Sequence, residues 1–277
     1  MERKKFEGTV IASDIDGTFL DKHSRQVERN LHAVRYFCEN GGRFTFATGR
    51  APIFMLKALP NAEELINMPA ITANGACLYD FQREIALEEH FLRMEDILRI
   101  METVSKFTDK AGYRGAYEKG PVVPDVYNPY AERDLARLPD FMVKLRLAPE
   151  RWDGLGLYKL NVMEEPDTLE MLFPILKREL GDTVSVSRSG MTTIEIMTSG
   201  ISKAALLKKA VEKYVSPSAR LCTVGDYDND LEMHAIADLA VCPANANERV
   251  KDACHVCLCD HDEGVIGDLV EYLEHTL

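Results

Sequence analysis

No apolar stretch in the 277-residue chain approaches the roughly 20 residues needed to cross a bilayer, and none follows the basic residues Arg3, Lys4 and Lys5. The first absence excludes a membrane-spanning helix, and the second leaves no indication of a secretory signal. Basic charge is also short, with 33 Lys and Arg against 45 Asp and Glu and a formal net charge of -12. That balance is a poor footprint for nucleic-acid backbones, so nucleic acid is not an expected partner. It would also repel small anions at long range, so an anion-handling site in this chain needs a divalent metal and local basic residues. Internal repeats and low-complexity segments are missing too. What the chain does have is seven cysteines, an odd number. They read as reduced thiols, not a disulfide framework, and a cytoplasmic location is expected. A hydrophobic content of 46% in this length supports one large or two moderate domains with real cores.

The densest chemical signal stands at the end of the apolar run Thr9-Val10-Ile11-Ala12, where Asp14-Ile15-Asp16-Gly17-Thr18 follows. In extended chain, positions i and i+2 project to one side, so Asp14 and Asp16 can face one ligand while Gly17 lets the backbone turn away. A solvated Asp-Gly turn is the plain alternative for such a pair standing alone. Three further apolar runs carry polar residues at their ends. Arg43 to Ala47 leads to Thr48-Gly49-Arg50, Pro69 to Thr72 leads to Asn74-Gly75-Ala76, and Leu221 to Val224 leads to Gly225-Asp226-Tyr227-Asp228-Asn229-Asp230. In an open parallel α/β sheet the carboxyl ends of the strands share one edge, where ligands bind. Four such exits predict one composite active site.

The pattern alternates strand and helix from Met1 to about Asp80, with Val27, Leu31, Val34 and Phe37 on one helical face before Gly41-Gly42. Helical stripes recur at Ile97, Ile100, Met101, Val104 and Phe107, and over Asp167 to Leu180. Segments 84–92, 157–163, 183–187 and 193–197 read as strands of a second α/β unit with more antiparallel character. After Ser199-Gly200 the alternation of strand and helix resumes. The middle therefore looks inserted into a core built by both ends.

The ordered set Asp14-x-Asp16-Gly-Thr, Thr48-Gly-Arg, Lys203 and Gly225-Asp226-x-x-Asn229-Asp230 resembles the haloacid dehalogenase superfamily of phosphohydrolases. More narrowly it is similar to the Cof-type phosphatases, which carry a large type IIB cap, and Asn74-Gly75-Ala76 and Asn245-Ala246 fit the same habit. The resemblance covers essentially the whole chain. It implies a doubly wound, Rossmann-like parallel-sheet core at 1–82 and 193–277, with an inserted α/β cap at 83–192 that sets specificity. It implies a Mg²⁺-dependent phosphatase of small phosphomonoesters, sugar phosphates or phosphorylated cofactors, working through an aspartyl-phosphate.

By the same resemblance Asp14 is the nucleophile and Asp16 the general acid and base. The Asp14 carboxylate, the Asp16 carbonyl and the Asp226 carboxylate hold Mg²⁺. Thr48, Gly49, Arg50, Asn74, Gly75, Lys203 and Asn229 bind phosphate or substrate, Lys203 from the start of a helix over Lys203 to Tyr214. Asp230 stands behind them, orienting Lys203 or a water on the metal. Three positions depart from the family pattern: Tyr227 replaces a small residue, Asp228 adds a charge, and Pro243 stands before Ala244-Asn245 where a glycine is frequent, and all are expected to tune the site.

Other readings compete. A phosphomutase of the same superfamily would return the phosphoryl group to a sugar. A receiver domain shares clustered aspartates, Thr and Lys, but places its acidic pair before the phospho-acceptor, whereas here Asp-x-Asp comes first. A non-catalytic phospho-ligand binder is the third. The run Asp226 to Asp230 is not an EF-hand loop, because Leu231 stands where that loop needs Gly and Ala237 where it needs Glu. The cluster Cys254-His255-x-Cys257-x-Cys259-x-His261 matches no familiar zinc spacing and reads as a strand with its thiols inside. Tyr113, Arg114, Tyr117, Lys119 and Arg188 are the candidates for the cap's inner surface.

Overall fold

The computed structural model describes residues 4–189 and 191–276. It divides into two compact units, Met1–Glu88 with Ser202–Leu277, and Glu89–Ile201. The discontinuous unit begins with Thr9–Ser13 (β1), every residue of which is buried. Burial along its whole length is what a central position in a parallel sheet imposes, since both faces are covered. Glu28–Glu39 (α1) follows, burying Val34 and Phe37, and then Arg43–Phe46 (β2). Two short helices, Pro52–Ala58 (α2) and Ala62–Leu65 (α3), lead to Ala70–Thr72 (β3), Cys77–Asp80 (β4) and Ile85–Glu89 (β5).

The continuous unit holds Met94–Ser105 (α4), Gly112–Tyr117 (β6), Gly120–Val123 (β7), Pro129–Leu135 (α5) and Leu145–Arg146 (β8). It goes on through Lys159–Met163 (β9), Pro166–Leu180 (α6), Val184–Arg188 (β10) and Thr193–Thr198 (β11). Its six strands run in the order β10-β11-β9-β6-β7-β8. All neighbours are antiparallel except β7 with β8. The stripes Ile97, Ile100, Val104 and Leu169, Leu172, Leu176 bring α4 and α6 onto one sheet face, against Leu160, Val162, Ile194 and Ile196. Each such side chain contributes about 1.5–3 kcal/mol when fully buried. Phe107, read as part of the α4 stripe, lies beyond the helix end and is exposed. The unit also takes in β11, as the strand pattern expected, although the bounds implied by the resemblance begin the core at 193. Alternating residues make a strand in any sheet, and it is pairing with β9 and β10 that assigns this one.

The chain then returns through Lys203–Tyr214 (α7), Arg220–Val224 (β12), Leu231–Ala235 (α8), Leu239–Pro243 (β13), Glu248–Ala253 (α9), Val256–Leu258 (β14) and Val265–Thr276 (α10). The order β14-β13-β12-β1-β2 makes a parallel five-stranded sheet. Its topology reverses between β1 and β12, the position at which doubly wound sheets bind ligands. The third polar exit differs from expectation: β3 belongs to a separate sheet with β4 and β5, antiparallel to β4. A single parallel bridge, Ala47 to Ile71, still aligns its end with that of β2. The thiol strand differs as well. Val256 and Leu258 of β14 pack against the core, and Cys257 points out and is exposed.

Among the described residues no helix is long and apolar enough to cross a membrane.

Candidate active site

The nucleophile candidate sits one residue past β1, where Asp14 N–H still donates to Val224 C=O at 2.8 Å. Its carboxylate is therefore held at the mouth of the β1–β12 pair. Gly17, at φ +75, makes the turn that follows, and a Cβ there would lie 2.4 Å from Asp226 Oδ2. The glycine thus permits both the left-handed turn and the approach of the second acidic loop. From that loop, Asp226 Oδ1 accepts a hydrogen bond from Thr18 Oγ1 at 2.9 Å.

Lys203 is the first residue of α7, whose end is capped by Ser202 Oγ accepting from Ala205 N–H. Its side chain is only 1% exposed, and Nζ donates to Asp14 Oδ1 and to Asp230 Oδ1, both at 2.7 Å. Asp230 is fully buried, and its Oδ2 accepts from the Asp226 and Tyr227 N–H groups at 3.1 Å. It therefore ties the loop to the lysine. Ligand oxygens of Asp14, Asp226 and Asp230 all lie within 4.8 Å of one another.

Three carboxylates thus crowd one ammonium, and the electrostatics record the imbalance. Burial pushes the Asp14 carboxyl above its ordinary range, opposed by Lys203 and reinforced by Asp230 and Asp226. Burial and then Asp230 push Asp226 up to about 6, against the Thr18 hydrogen bond. Burial works against the Lys203 charge, but Asp14 and Asp230 outweigh it and raise its pKa, so the lysine stays protonated. A set of hard oxygen donors carrying excess negative charge fits a divalent cation such as Mg²⁺.

The remaining predicted residues gather at the neighbouring exits. Thr48 is buried, and its hydroxyl oxygen accepts from Arg50 N–H at 3.1 Å, capping the turn. Gly49 lies against Asn74, whose Oδ1 a Cβ would approach to 3.1 Å. Asn74 adopts φ 53, donates its N–H to Thr48 C=O at 2.9 Å and accepts from Asn229 Nδ2 at 3.1 Å, joining the second, third and fourth exits. Arg50 was expected on the phosphate. Its guanidinium instead grips Asp16, with Nε at 2.7 Å and Nη2 at 2.6 Å from the two carboxylate oxygens, and Nη1 donates to Phe54 C=O. The charge added by Asp228 is likewise turned elsewhere, to Arg249 at 2.7 Å and Asn247 at 3.2 Å, while Tyr227 faces outward and is exposed.

Gly75 shows how tightly this region closes on α7. At φ +96, a Cβ would fall 2.2 Å from Ser202 O and 3.0 Å from Lys203 N. Gly75→Ala is expected to destabilise the protein by about 2–4 kcal/mol, read as a lower Tm in thermal unfolding. A Tm within a degree of the parent would contradict this contact.

Sequence reasoning missed two supports. Thr18 fixes Asp226, and His261 reaches Leu20 C=O through Nδ1 at 2.6 Å while its N–H donates to Asn245 Oδ1. Asn245 in turn donates to Gly17 C=O at 2.8 Å, so the segment after β13 braces the turn after β1. Thr18 lies inside the first motif and was open to notice, whereas His261 stood out only as the end of the cysteine cluster, with nothing to link it to the turn after β1.

A family model described as haloacid dehalogenase-like hydrolase matches residues 11–269. The chain belongs to that family. A 5-amino-6-(5-phospho-D-ribitylamino)uracil phosphatase of Bacillus subtilis is 25% identical over 98% of this chain and 99% of its own. A hydrolase of Schizosaccharomyces pombe is 26% identical over 95% of this chain and 89% of its own. Among solved structures, a Thermotoga maritima protein superposes with a TM-score of 0.80 at 22% identity, covering 95% of this chain and 97% of that one. A subclass IIB sugar phosphatase gives 0.77 at 19% identity, covering 95% and 98%. The parallel-sheet core with an additional sheet-bearing unit is therefore the family fold, and the chain is a hydrolase of phosphatase type.

Proposed function

We propose that this hydrolase is a Mg²⁺-dependent phosphatase of small phosphomonoesters, with Asp14 as the nucleophile and the continuous unit as its specificity cap. The observation that supports the reading is the contact of Lys203 Nζ with both Asp14 and Asp230 beside Asp226, which brings a buried carboxylate, a fixed cation and a group of hard oxygens together.

The Asp14 carboxylate attacks phosphorus to form an aspartyl-phosphate, which splits the hydrolysis into two displacements. The oxygen that Lys203 does not engage is the attacking atom. Asp16 gives a proton to the leaving alkoxide and then takes one from the attacking water; the Arg50 guanidinium, which holds both of its oxygens, favours the ionised form that accepts the proton and must release one oxygen for the first, proton-giving step. Lys203, the Thr48 hydroxyl and the Asn74–Asn229 pair are the donors for the phosphoryl oxygens. Asp14, the Asp16 carbonyl and Asp226 would hold Mg²⁺. When bound, the metal supplies neutralisation of charge on the transferring group.

Three relatives, 23 to 25% identical, are named 5-amino-6-(5-phospho-D-ribitylamino)uracil phosphatases, so that ester belongs in the substrate panel beside sugar phosphates. The test is phosphate release across such a panel, before and after EDTA treatment. Turnover is expected to vanish with the chelator and to return with Mg²⁺. Activity indifferent to chelation, or no release from any ester with Mg²⁺ present, would overturn the reading.

A further inference from the structure

At one edge of the parallel sheet, β13 and β14 bring two cysteines side by side, because Cys242 and Cys257 are register partners. Val241 of β13 and Val256 and Leu258 of β14 pack into the large core on one side of the sheet. Alternation along each strand therefore turns Cys242 and Cys257 together to the other side. There Cys242 is fully buried among Leu231, Ala246 and Val250, with Cys254 packed against the same group. Cys257 is exposed and Cys254 is half-buried. The Cys242 thiol interacts with both of the others. One thiol thus meets solvent, and a second lies directly behind it.

Neighbouring strands run about 4.8 Å apart, which places α-carbons in register inside the span of roughly 4.4–6.8 Å that a disulfide needs. A common face meets the other requirement, that the Cβ vectors do not diverge. Cys254 lies just past the end of α9, outside both strands, and has no such register partner. Cys259 Sγ is turned elsewhere, 4.0 Å from Arg29 Nη1. The pair is therefore defined by the sheet itself.

We propose that Cys257 and Cys242 form an oxidation site, which takes a low-molecular-weight disulfide of the glutathione type and ends as an internal disulfide joining β13 to β14. The Cys257 thiolate attacks one sulfur of the incoming disulfide, giving a mixed disulfide and expelling the first small thiolate. Cys242, as its thiolate, then attacks the Cys257 sulfur, and the second small thiolate leaves. Each expelled thiolate takes up a proton, so two protein thiols are oxidised by two electrons while one small disulfide is reduced to two thiols. Burial raises the Cys257 thiol, and the Cys254 thiol and burial raise that of Cys242, with the Lys251 ammonium opposing both. The exchange is therefore slow at neutral pH and answers sustained oxidation.

The bond would close the segment 243–256. Asn245 of that segment donates to Gly17 C=O, and Asn247 N–H donates to Asp226 C=O at 3.1 Å. Oxidation thus fastens the ends of the strap that braces both acidic loops, and it does so whether or not the phosphatase reading holds.

The test incubates the reduced full chain with oxidised glutathione at about pH 8.5, where a raised thiol still supplies thiolate. Free thiols are then alkylated, and linkages are located by tandem mass spectrometry without reduction. A Cys242–Cys257 link in most of the protein is expected, with a Tm about 3–8 °C above that of the reduced form and reversal by dithiothreitol. Cys257→Ser, a change at an exposed position, is expected to lose both the link and the rise in Tm, and Cys254→Ser to keep both. The inference is overturned by a Cys242–Cys254 link, by glutathione held at Cys257 with no internal bond, by a covalent dimer through Cys257, or by all seven thiols remaining free. A linked protein whose Tm is unchanged or lower would overturn the bracing role.

Discussion

Asp14→Asn is expected to cut phosphate release by about 10⁴-fold or more while the protein stays folded. The amide has nearly the shape of the carboxylate and keeps an oxygen for Lys203 Nζ, which would still hold Asp230 at 2.7 Å. What it lacks is the anionic oxygen that attacks phosphorus. Burial already disfavours charge on Asp14, so removing that charge relieves crowding with Asp226 and Asp230, and the Tm is expected to stay within a few degrees of the parent. Stopped-assay phosphate release and thermal unfolding check the two halves. Turnover within tenfold of the parent would show that the nucleophile is another group.

The second large effect is at Lys203. Lys203→Met puts a side chain of similar reach into the same buried space without a charge, and leaves Asp14 and Asp230 facing each other unneutralised. Breaking a buried ion pair by removing one member costs about 3–5 kcal/mol. Here one ammonium serves two carboxylates, so a loss of that order in chemical unfolding without added metal is expected. Activity is expected to fall by about 10²–10³-fold, the loss typical of removing one donor from the transferring group. A variant as stable as the parent would mean that the contacts of Lys203 with Asp14 and Asp230 carry no weight in the fold.

Much of the fold was legible because local periodicity records which side of an element is apolar. Lys203–Tyr214 was delimited from sequence to the residue, and the stripe through Val34 and Phe37 lies in a helix as expected. Polar residues at strand ends were legible for the same reason, since an apolar run followed by Asp or Thr marks where a strand leaves the core. Partner choice was not legible. Thr193–Thr198 reads as a strand from its alternation, yet only pairing with β9 and β10 decides its sheet. Alternation around Cys257 was read in the wrong sense, because a short edge strand can present either face outward.

The site divides along the same line. Its chemistry was written in the residue types and their order, and the family resemblance follows from that order alone. Distances belong to the tertiary structure. Lys203 meets Asp14 across 189 residues of chain, and Thr18 meets Asp226 across 208. Chain closure over such separations is set by packing of the whole core and leaves no local trace. The same packing turned Arg50 onto Asp16 and drew Asp228 away to Arg249. Amino-acid order determined which reactive groups this protein owns and at which strand ends they stand. Which of them touch was decided only when the sheets closed, because hydrogen bonds and ion pairs depend on fractions of an ångström that no pattern of residue types encodes.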